Sequence, residues 1–340
     1  MLFGGRLSPF SPIHSPHPHL ETCMNIAQRW INKVAATACL VSLAILLPAC
    51  STIAEDLEDC PQPFELTVRA IDIANQDITS GGDVENVILF TFDESGKRID
   101  KILLNADEIK ARKPIHIEHY GPKSLTFVAW GNVTPEDLER LESVQRIEDV
   151  QMPLKRTDGF AQYPTDLFSG RLDREQVYGK LELGEPATID IYRRTCQVNV
   201  IILGYEQWLG RQGYKQQAFD PTDYAAARVL FGNSLDNYHI DDIYQGNPIG
   251  YRLTGQLDSA TGDYRIAPFR VYPPIEGKPF ALDLYVGDKR LESFTKDSRG
   301  TLLLPEIGKM LNVLIDMRSA DASIQIVVTP WNIVHQFVIY

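Results

Sequence analysis

The chain has 340 residues, of which 44% are hydrophobic and 23% charged, an ordinary globular composition with length enough for two hydrophobic cores. Its formal net charge of −12 excludes nucleic acid as a partner, because binding a polyanion needs clustered Lys and Arg to displace counterions. Val, Ile, Thr, Tyr and Phe recur in short runs broken by Gly, Pro, Asn and Asp, and few segments sustain helical spacing, so the chain reads as all-β.

Residues 1–23 are rich in Pro, Ser and His without apolar periodicity, and read as an extension ahead of a true start at Met24. Residues 24–49 place Arg29 and Lys33 before an apolar stretch at 34–47, the layout of a secretory signal peptide. That stretch falls short of the roughly 20 residues a membrane-spanning helix needs. Leu47-Pro48-Ala49-Cys50 then resembles the lipobox of bacterial lipoproteins. The resemblance implies cleavage before Cys50 and acylation of its thiol and amine, palmitate included, with several chains anchoring the protein stably. Pro48 departs from the usual small or aliphatic residue, and a plain signal peptide cut nearby is the alternative. Residues 50–61 form an acidic tether. Its acidic residues resemble a surface-export signal of Bacteroidetes lipoproteins, which implies the outer membrane, facing the cell exterior. Solvated charges on a plain leader are the other reading. Once Cys23 and Cys39 leave with the leader and Cys50 goes to lipid, Cys60 and Cys196 remain, open to a disulfide or to two free thiols.

The globular part divides into an N-terminal β-sandwich domain at 62–208 and a C-terminal one at 209–340. In the first, residues 64–71 alternate apolar and polar, as a strand with one buried face requires. Residues 84–92 make a second strand. Asp93-Glu94-Ser95-Gly96-Lys97-Arg98-Ile99 carries turn chemistry into a hairpin, so its acidic pair needs no catalytic explanation. Strands follow at 115–117 and 124–130. Thr134 caps a helix with Pro135 in its first turn and carboxylates Glu136 and Asp137 near the positive end of its dipole, ending near Ser143. Strands at 167–172, 178–183, 188–192 and 196–204 complete the domain, and Gly210, Gly213 and Pro221 mark the boundary. The second domain has strands at 226–231, 251–257, 264–272, 280–286 and 312–317. Its tail, 323–340, is the most β-prone stretch, divided by Pro330 into two strands because proline cannot donate to a ladder.

Chemistry is sparse. His116-Ile117-Glu118-His119 is the one cluster that hints at metal, but on a strand His119 faces away from His116 and Glu118, so no metal site is expected. Asp236, Asp241 and Asp242 match no EF-hand spacing. No nucleophile elbow, phosphate loop or dinucleotide fingerprint appears, so no catalytic residue, no enzyme activity and no cofactor is expected. Trp208, Tyr214, Tyr224, Tyr238 and Tyr244 form an aromatic-rich segment that either fills a core or presents a sugar-binding face.

Taken in order, the lipid cysteine, Asp59-Cys60-Pro61, Trp130-Gly131-Asn132, Phe168-Ser169-Gly170, Arg193-Arg194 leading into residues 198–202, and Val327 to Trp331 with Val334-His335-Gln336 resemble the FimB-type fimbrial anchor family of Bacteroidales. The resemblance covers residues 50–340. Thr195-Cys196-Gln197 departs from the turn expected there, leaving the subfamily open. It implies two transthyretin-like, Greek-key β-sandwiches in series, and a non-catalytic anchor or accessory subunit that roots or regulates a fimbrial fibre. The implied partners are fimbrial stalk or accessory subunits and, through the lipid, the membrane. Residues 324–340 are the candidate donor or lock segment, with Ile324, Ile326, Val328, Trp331, Ile333, Val334, Phe337 and Ile339 filling a neighbour's groove pockets while the backbone completes its sheet. An ordinary pair of terminal core strands is the competing reading of the same tail. Two further functions remain. A surface glycan-binding lipoprotein of a nutrient-uptake system needs exposed coplanar aromatic rings, and a lipid-anchored hydrolase needs a cleft joining His116 or His239 to carboxylates.

Overall fold

The structure, a computed structural model, describes residues 58–213 and 227–338. Cys50, the signal peptide, most of the tether, Tyr214, Tyr224 and Ile339 lie outside those residues. The chain is all-β, as its patterning predicts. The strands in order are β1 (Phe64–Ile71), β2 (Asn86–Phe92), β3 (Arg98–Asn105), β4 (Ile115–Ile117), β5 (Ser124–Gly131), β6 (Gln151–Pro153), β7 (Arg156–Thr157), β8 (Phe160–Ala161), β9 (Phe168–Glu175) and β10 (Ala187–Arg193). They continue as β11 (Cys196–Leu203), β12 (Ala227–His239), β13 (Ile243–Leu253), β14 (Gln256–Asp258), β15 (Asp263–Val271), β16 (Ala281–Val286), β17 (Lys289–Phe294), β18 (Lys309–Asp316) and β19 (Ser323–Pro330). Short helices α1 (Ala106–Lys110), α2 (Pro135–Glu142) and α3 (Tyr205–Arg211) lie between them.

The first seven-strand path runs β3-β2-β5-β9-β10-β1-β4. β9 and β10 are joined only at Tyr192 with Ser169 and Arg193 with Phe168, so the path turns a corner there and closes into a sandwich. Alternate residues of its strands point inward: Leu66 and Val68 from β1, Val87 and Leu89 from β2, Leu125 and Phe127 from β5, Ile189 and Ile191 from β10. Phe64 and Phe127 meet edge to face at 6.0 Å across this core. Gly170 makes the corner possible, since a Cβ there would stand 2.0 Å from the Asp190 carbonyl oxygen.

Two local predictions hold. Asp93 Oδ1 accepts the Ser95 and Lys97 amides at 2.9 and 3.0 Å, closing the β2–β3 hairpin. Thr134 Oγ1 accepts the Asp137 amide at 3.1 Å and Pro135 opens α2. The run 178–183 forms no strand and contributes one bridge, Tyr178 to Pro61.

The second sandwich packs a five-stranded sheet, β14-β15-β11-β18-β19, on a sheet ordered β17-β16-β12-β13-β8-β7, with β6 also paired to β12. β11 runs parallel to β18 and antiparallel to β15 at the centre of the five-stranded sheet. The chain therefore changes sandwich at residues 194–195, between β10 and β11, and not at 208–209. Strands β6, β7 and β8 also return from the N-terminal half to the second sandwich. The sequence places 196–204 with its neighbours along the chain, whereas pairing with distant β18 decides its sheet.

The core of the second sandwich extends onto the outer face of the first. β2 is buried on both faces, and its outward Ile88, Phe90 and Phe92 join Val128 and Trp130 against Met152, Tyr238 and the second sandwich. Trp130 and Tyr238 meet at 5.4 Å, and the Ser169 and Tyr238 hydroxyls lie 2.9 Å apart. Contacts accordingly group residues 57–340 into one compact unit.

Cys60 and Cys196 are free thiols in the structure. Cys196 opens β11 inside the second core, fully buried, where desolvation holds its thiol well above the usual range. Cys60 sits at the far end of β1's lead-in, its carbonyl accepting the Gly179 amide at 2.9 Å. Of the described aromatics of the middle segment, Trp208 is 3% exposed and Tyr238 fully buried, which removes these two as a sugar platform, and Tyr244 packs partly buried against the same core.

Candidate functional site

The C-terminal segment carries the candidate interaction site, and its strand half is already used. β19 pairs along its length with β18, and Ile324 and Ile326 are 6% and 2% exposed in the second core. The competing reading, a terminal core strand, thus describes residues 323–330, and Val328 lies at the rim, 37% exposed. The second expected strand after Pro330 does not form. Asn332 takes a left-handed φ of 62°, the chain reverses, and residues 331–338 cross the outer face of the five-stranded sheet without joining a ladder.

That outer face is built to receive a backbone. Alternation along β11 and β18 points Val198, Val200, Leu311 and Val313 inward and Gln197, Asn199 and Asn312 outward. These three amides are 7%, 5% and 0% exposed. Gln197 Oε1 accepts the Asn332 amide at 3.1 Å. Asn312 Oδ1 accepts the His335 amide at 3.0 Å and the Asn199 side chain at 3.2 Å. Asn312 Nδ2 donates to Thr329 Oγ1 at 2.9 Å, and that hydroxyl donates to the Ile333 carbonyl. A buried amide without partners costs about 1–3 kcal/mol, so the ladder and the strap over it depend on each other.

The strap's apolar side chains are left largely in water. Ile333, Val334 and Val338 are 53%, 48% and 65% exposed, with Val334 leaning over a groove lined by Ile201, Ala267 and Pro268. Phe337 is half-buried against the His335 ring, 4.7 Å away.

Trp331 fastens the strap's start to the first sandwich. The Arg193 guanidinium lies 4.2 Å from its ring centre and 4.8 Å from that of Phe168. Arg193 is buried and pairs with Asp166 at 2.7 and 2.9 Å and with Asp83 at 3.1 Å. Asn132, at φ 59°, holds the loops carrying both carboxylates, donating to the Asp83 and Asp166 carbonyls at 2.7 and 2.9 Å. Arg194 serves the opposite side, donating to Ser169 Oγ at 2.8 Å and pairing with Asp242 at 2.9 Å. Trp130-Gly131-Asn132, Phe168-Ser169-Gly170 and Arg193-Arg194, distant in sequence, therefore meet at the junction of the sandwiches. A groove of about 690 Å³ opens beside Trp331, lined by Ile73, Ile78, Val328 and Pro330 together with the charged Asp72, Asp83, Arg193, Glu306 and Lys309.

The sequence reading found Trp331, Ile333 and Val334 but missed Asp83, Asp166 and the amides. Alternation predicts the outward amides but nothing in sequence says what covers them. The strand ends at Ile117, and beyond it Glu118 pairs with His116 at 3.5 Å while His119 faces Asp100 at 3.8 Å. Among the described residues no three His, Cys, Asp or Glu side chains converge as metal ligands.

The family described as Fimbrillin-A associated anchor proteins Mfa1 and Mfa2 matches residues 57–337. The chain belongs to this family. It is 44% identical over 304 residues to the major fimbrium anchoring subunit FimB of Porphyromonas gingivalis strain W83, covering 88% of this chain and 98% of that relative. FimB of another P. gingivalis strain is 43% identical over the same length. The fimbrial anchor protein Mfa2 of P. gingivalis shares the fold, with a TM-score of 0.54 at 13% identity over 80% of this chain and 98% of that one. A candidate adhesin from Bacteroides ovatus matches with a TM-score of 0.56 at 13% identity over 81% and 95% of the two chains.

Proposed function

We propose that this chain is a fimbrial anchoring subunit: a non-catalytic lipoprotein, held by acyl chains on Cys50 at the outer membrane and facing outward, that grips the base of a fimbrial fibre. The observation that carries the reading is 44% identity to FimB across 98% of that relative's length. The partners are fimbrial stalk or accessory subunits. Contact is made through the C-terminal segment, and the burial of Ile324 and Ile326 confines the part offered to a neighbour to residues from Trp331 onward. Ile333, Val334 and Val338 present their apolar side chains outward, the arrangement a neighbour's groove would receive. Domain organisation follows the two sandwiches, with residues 24–49 cleaved as a signal peptide.

The test is Cys50→Ala in the native strain. The expected result is loss of the protein from the membrane fraction and release of fibres into the medium. Unchanged membrane partitioning with fibres still attached would refute the anchor reading.

A further inference from the structure

Large exposed hydrophobic side chains are unevenly distributed over the described surface. Three of the four most exposed are Tyr120 at 67%, Leu181 at 61% and Leu183 at 55%, with Val177 beside them at 47%. All four belong to two loops that meet at one end of the first sandwich, 118–123 and 176–185. Gln176 Nε2 donates to the His119 and Pro122 carbonyls at 3.0 and 2.7 Å, and the Tyr178 hydroxyl donates to the Pro122 carbonyl, which joins the loops.

The same loops receive the incoming chain. The Gln62 amide donates to the Val177 carbonyl at 2.6 Å, the Gly179 amide to the Cys60 carbonyl at 2.9 Å and the Gly184 amide to the Pro63 carbonyl at 2.7 Å. A Cβ on Gly184 would stand 3.1 Å from Gln62 Oε1, so the loop lies flat on the lead-in. These bonds fix the backbone on both sides of Leu181 and Leu183, yet more than half of each residue's surface stays in water. A run of the form Val-x-x-x-Leu-x-Leu on a pinned surface loop has no stabilising role in the isolated protein, and exposed apolar clusters of this kind mark contact with another phase or partner.

The occupant follows from where the chain comes from. Eight residue steps separate Cys50 from Glu58, a reach of at most about 28 Å even when fully extended. Lipid at Cys50 would therefore keep this end of the sandwich within about 28 Å of the bilayer, at an effective concentration that makes even a weak apolar contact persist. The charges around the patch are mixed, Lys123 and Lys180 against Glu118, Glu182 and Glu185, which suits a lipid interface without demanding one sign of headgroup. Tyr120 has the amphipathic form that settles at such an interface, its hydroxyl donating to Glu118 at 2.8 Å.

We propose that Tyr120, Val177, Leu181 and Leu183 form a membrane-resting face that inserts into the outer leaflet and sets the orientation in which the anchor stands. The proposal rests on the reading that Cys50 is lipidated. In that orientation the tether is a short leash, and the loops carry lateral load that would otherwise fall on the acyl chains alone.

The test uses full-length lipidated protein in phosphatidylcholine–phosphatidylethanolamine vesicles. An environment-sensitive dye is placed at Leu181→Cys or, as a control of similar exposure on β13, at Ile243→Cys, both with Cys60→Ser. The expected result is a blue-shifted dye at position 181 that spin-labelled lipid quenches at least threefold more than the dye at 243. Equal quenching at the two positions, with the protein still bound through Cys50, overturns the resting face and leaves the lipid reading intact. Protein that fails to bind vesicles, or binds equally well as Cys50→Ala, overturns the lipid reading and this proposal with it.

Discussion

Asn312→Leu isolates the link between the amide ladder and the strap. Leucine keeps the branched outline of the asparagine side chain at this fully buried site while removing every hydrogen-bonding atom. Two donors lose their acceptor, the His335 amide and Asn199 Nδ2. Asn199, 5% exposed on β11, bears the cost of an unsatisfied, nearly buried group, so global stability falls by about 2 kcal/mol. His335 can escape that cost if residues 331–338 lift from the sheet, which shifts strap release by roughly 1.4 kcal/mol, a factor of about ten. Hydrogen exchange read by mass spectrometry should then show amides of 333–338 exchanging about tenfold faster, while β18 and β19 keep their protection. Loss of global stability with unaltered exchange in 333–338 would refute the idea that the ladder seats the strap.

Arg193→Met removes the cation from between Trp331 and Phe168 and leaves Asp166 buried without its partner, which should cost about 3–5 kcal/mol by chemical denaturation. A loss below about 1 kcal/mol would show that the cluster does not hold the strap to the first sandwich. Gly170→Ala puts a methyl group 2.0 Å from the Asp190 carbonyl oxygen, so β9 and β10 must separate at their corner. The midpoint of thermal unfolding should drop by several degrees, and an unchanged midpoint would contradict the corner geometry. Burial raises the hydroxyls of Tyr205, Tyr238, Tyr244, Tyr251 and Tyr272 above their ordinary value near 10. Below that value both folded and unfolded chains keep these groups neutral. Above it only the unfolded chain ionises them, so stability falls as pH rises past about 10. Tyrosinate absorbance should therefore include a component that appears together with loss of far-ultraviolet circular dichroism, and full ionisation ahead of unfolding would contradict the burial.

Local chemistry was legible where a few residues decide it. The Asp93 turn, the Thr134 cap with Pro135, and the break at Pro330 each follow from one side chain's geometry, and each stands where the sequence places it. Pairing was less legible, because alternation says which face of a strand is buried but not against which strand. Cys196–Leu203 reads as the close of the first domain and is the centre of the second. The long β12–β13 hairpin was half missed, since Gly232, Asn233 and Pro248 interrupt the apolar pattern that would announce it. Of the candidate site, hydrophobicity singled out Trp331 and Ile333. Gln197, Asn199 and Asn312 look like solvated outward residues in sequence, and their role depends on a strap more than a hundred residues from Gln197.

A photoreactive amino acid at Ile333, introduced in the native strain and activated on intact cells, reads out whether the segment from Trp331 onward touches the fibre. The anchor account predicts a covalent adduct with a fimbrial subunit, absent when the same group stands at Ile243. Adducts at Ile333 confined to this chain's own five-stranded sheet, on cells that carry assembled fibres, would contradict it.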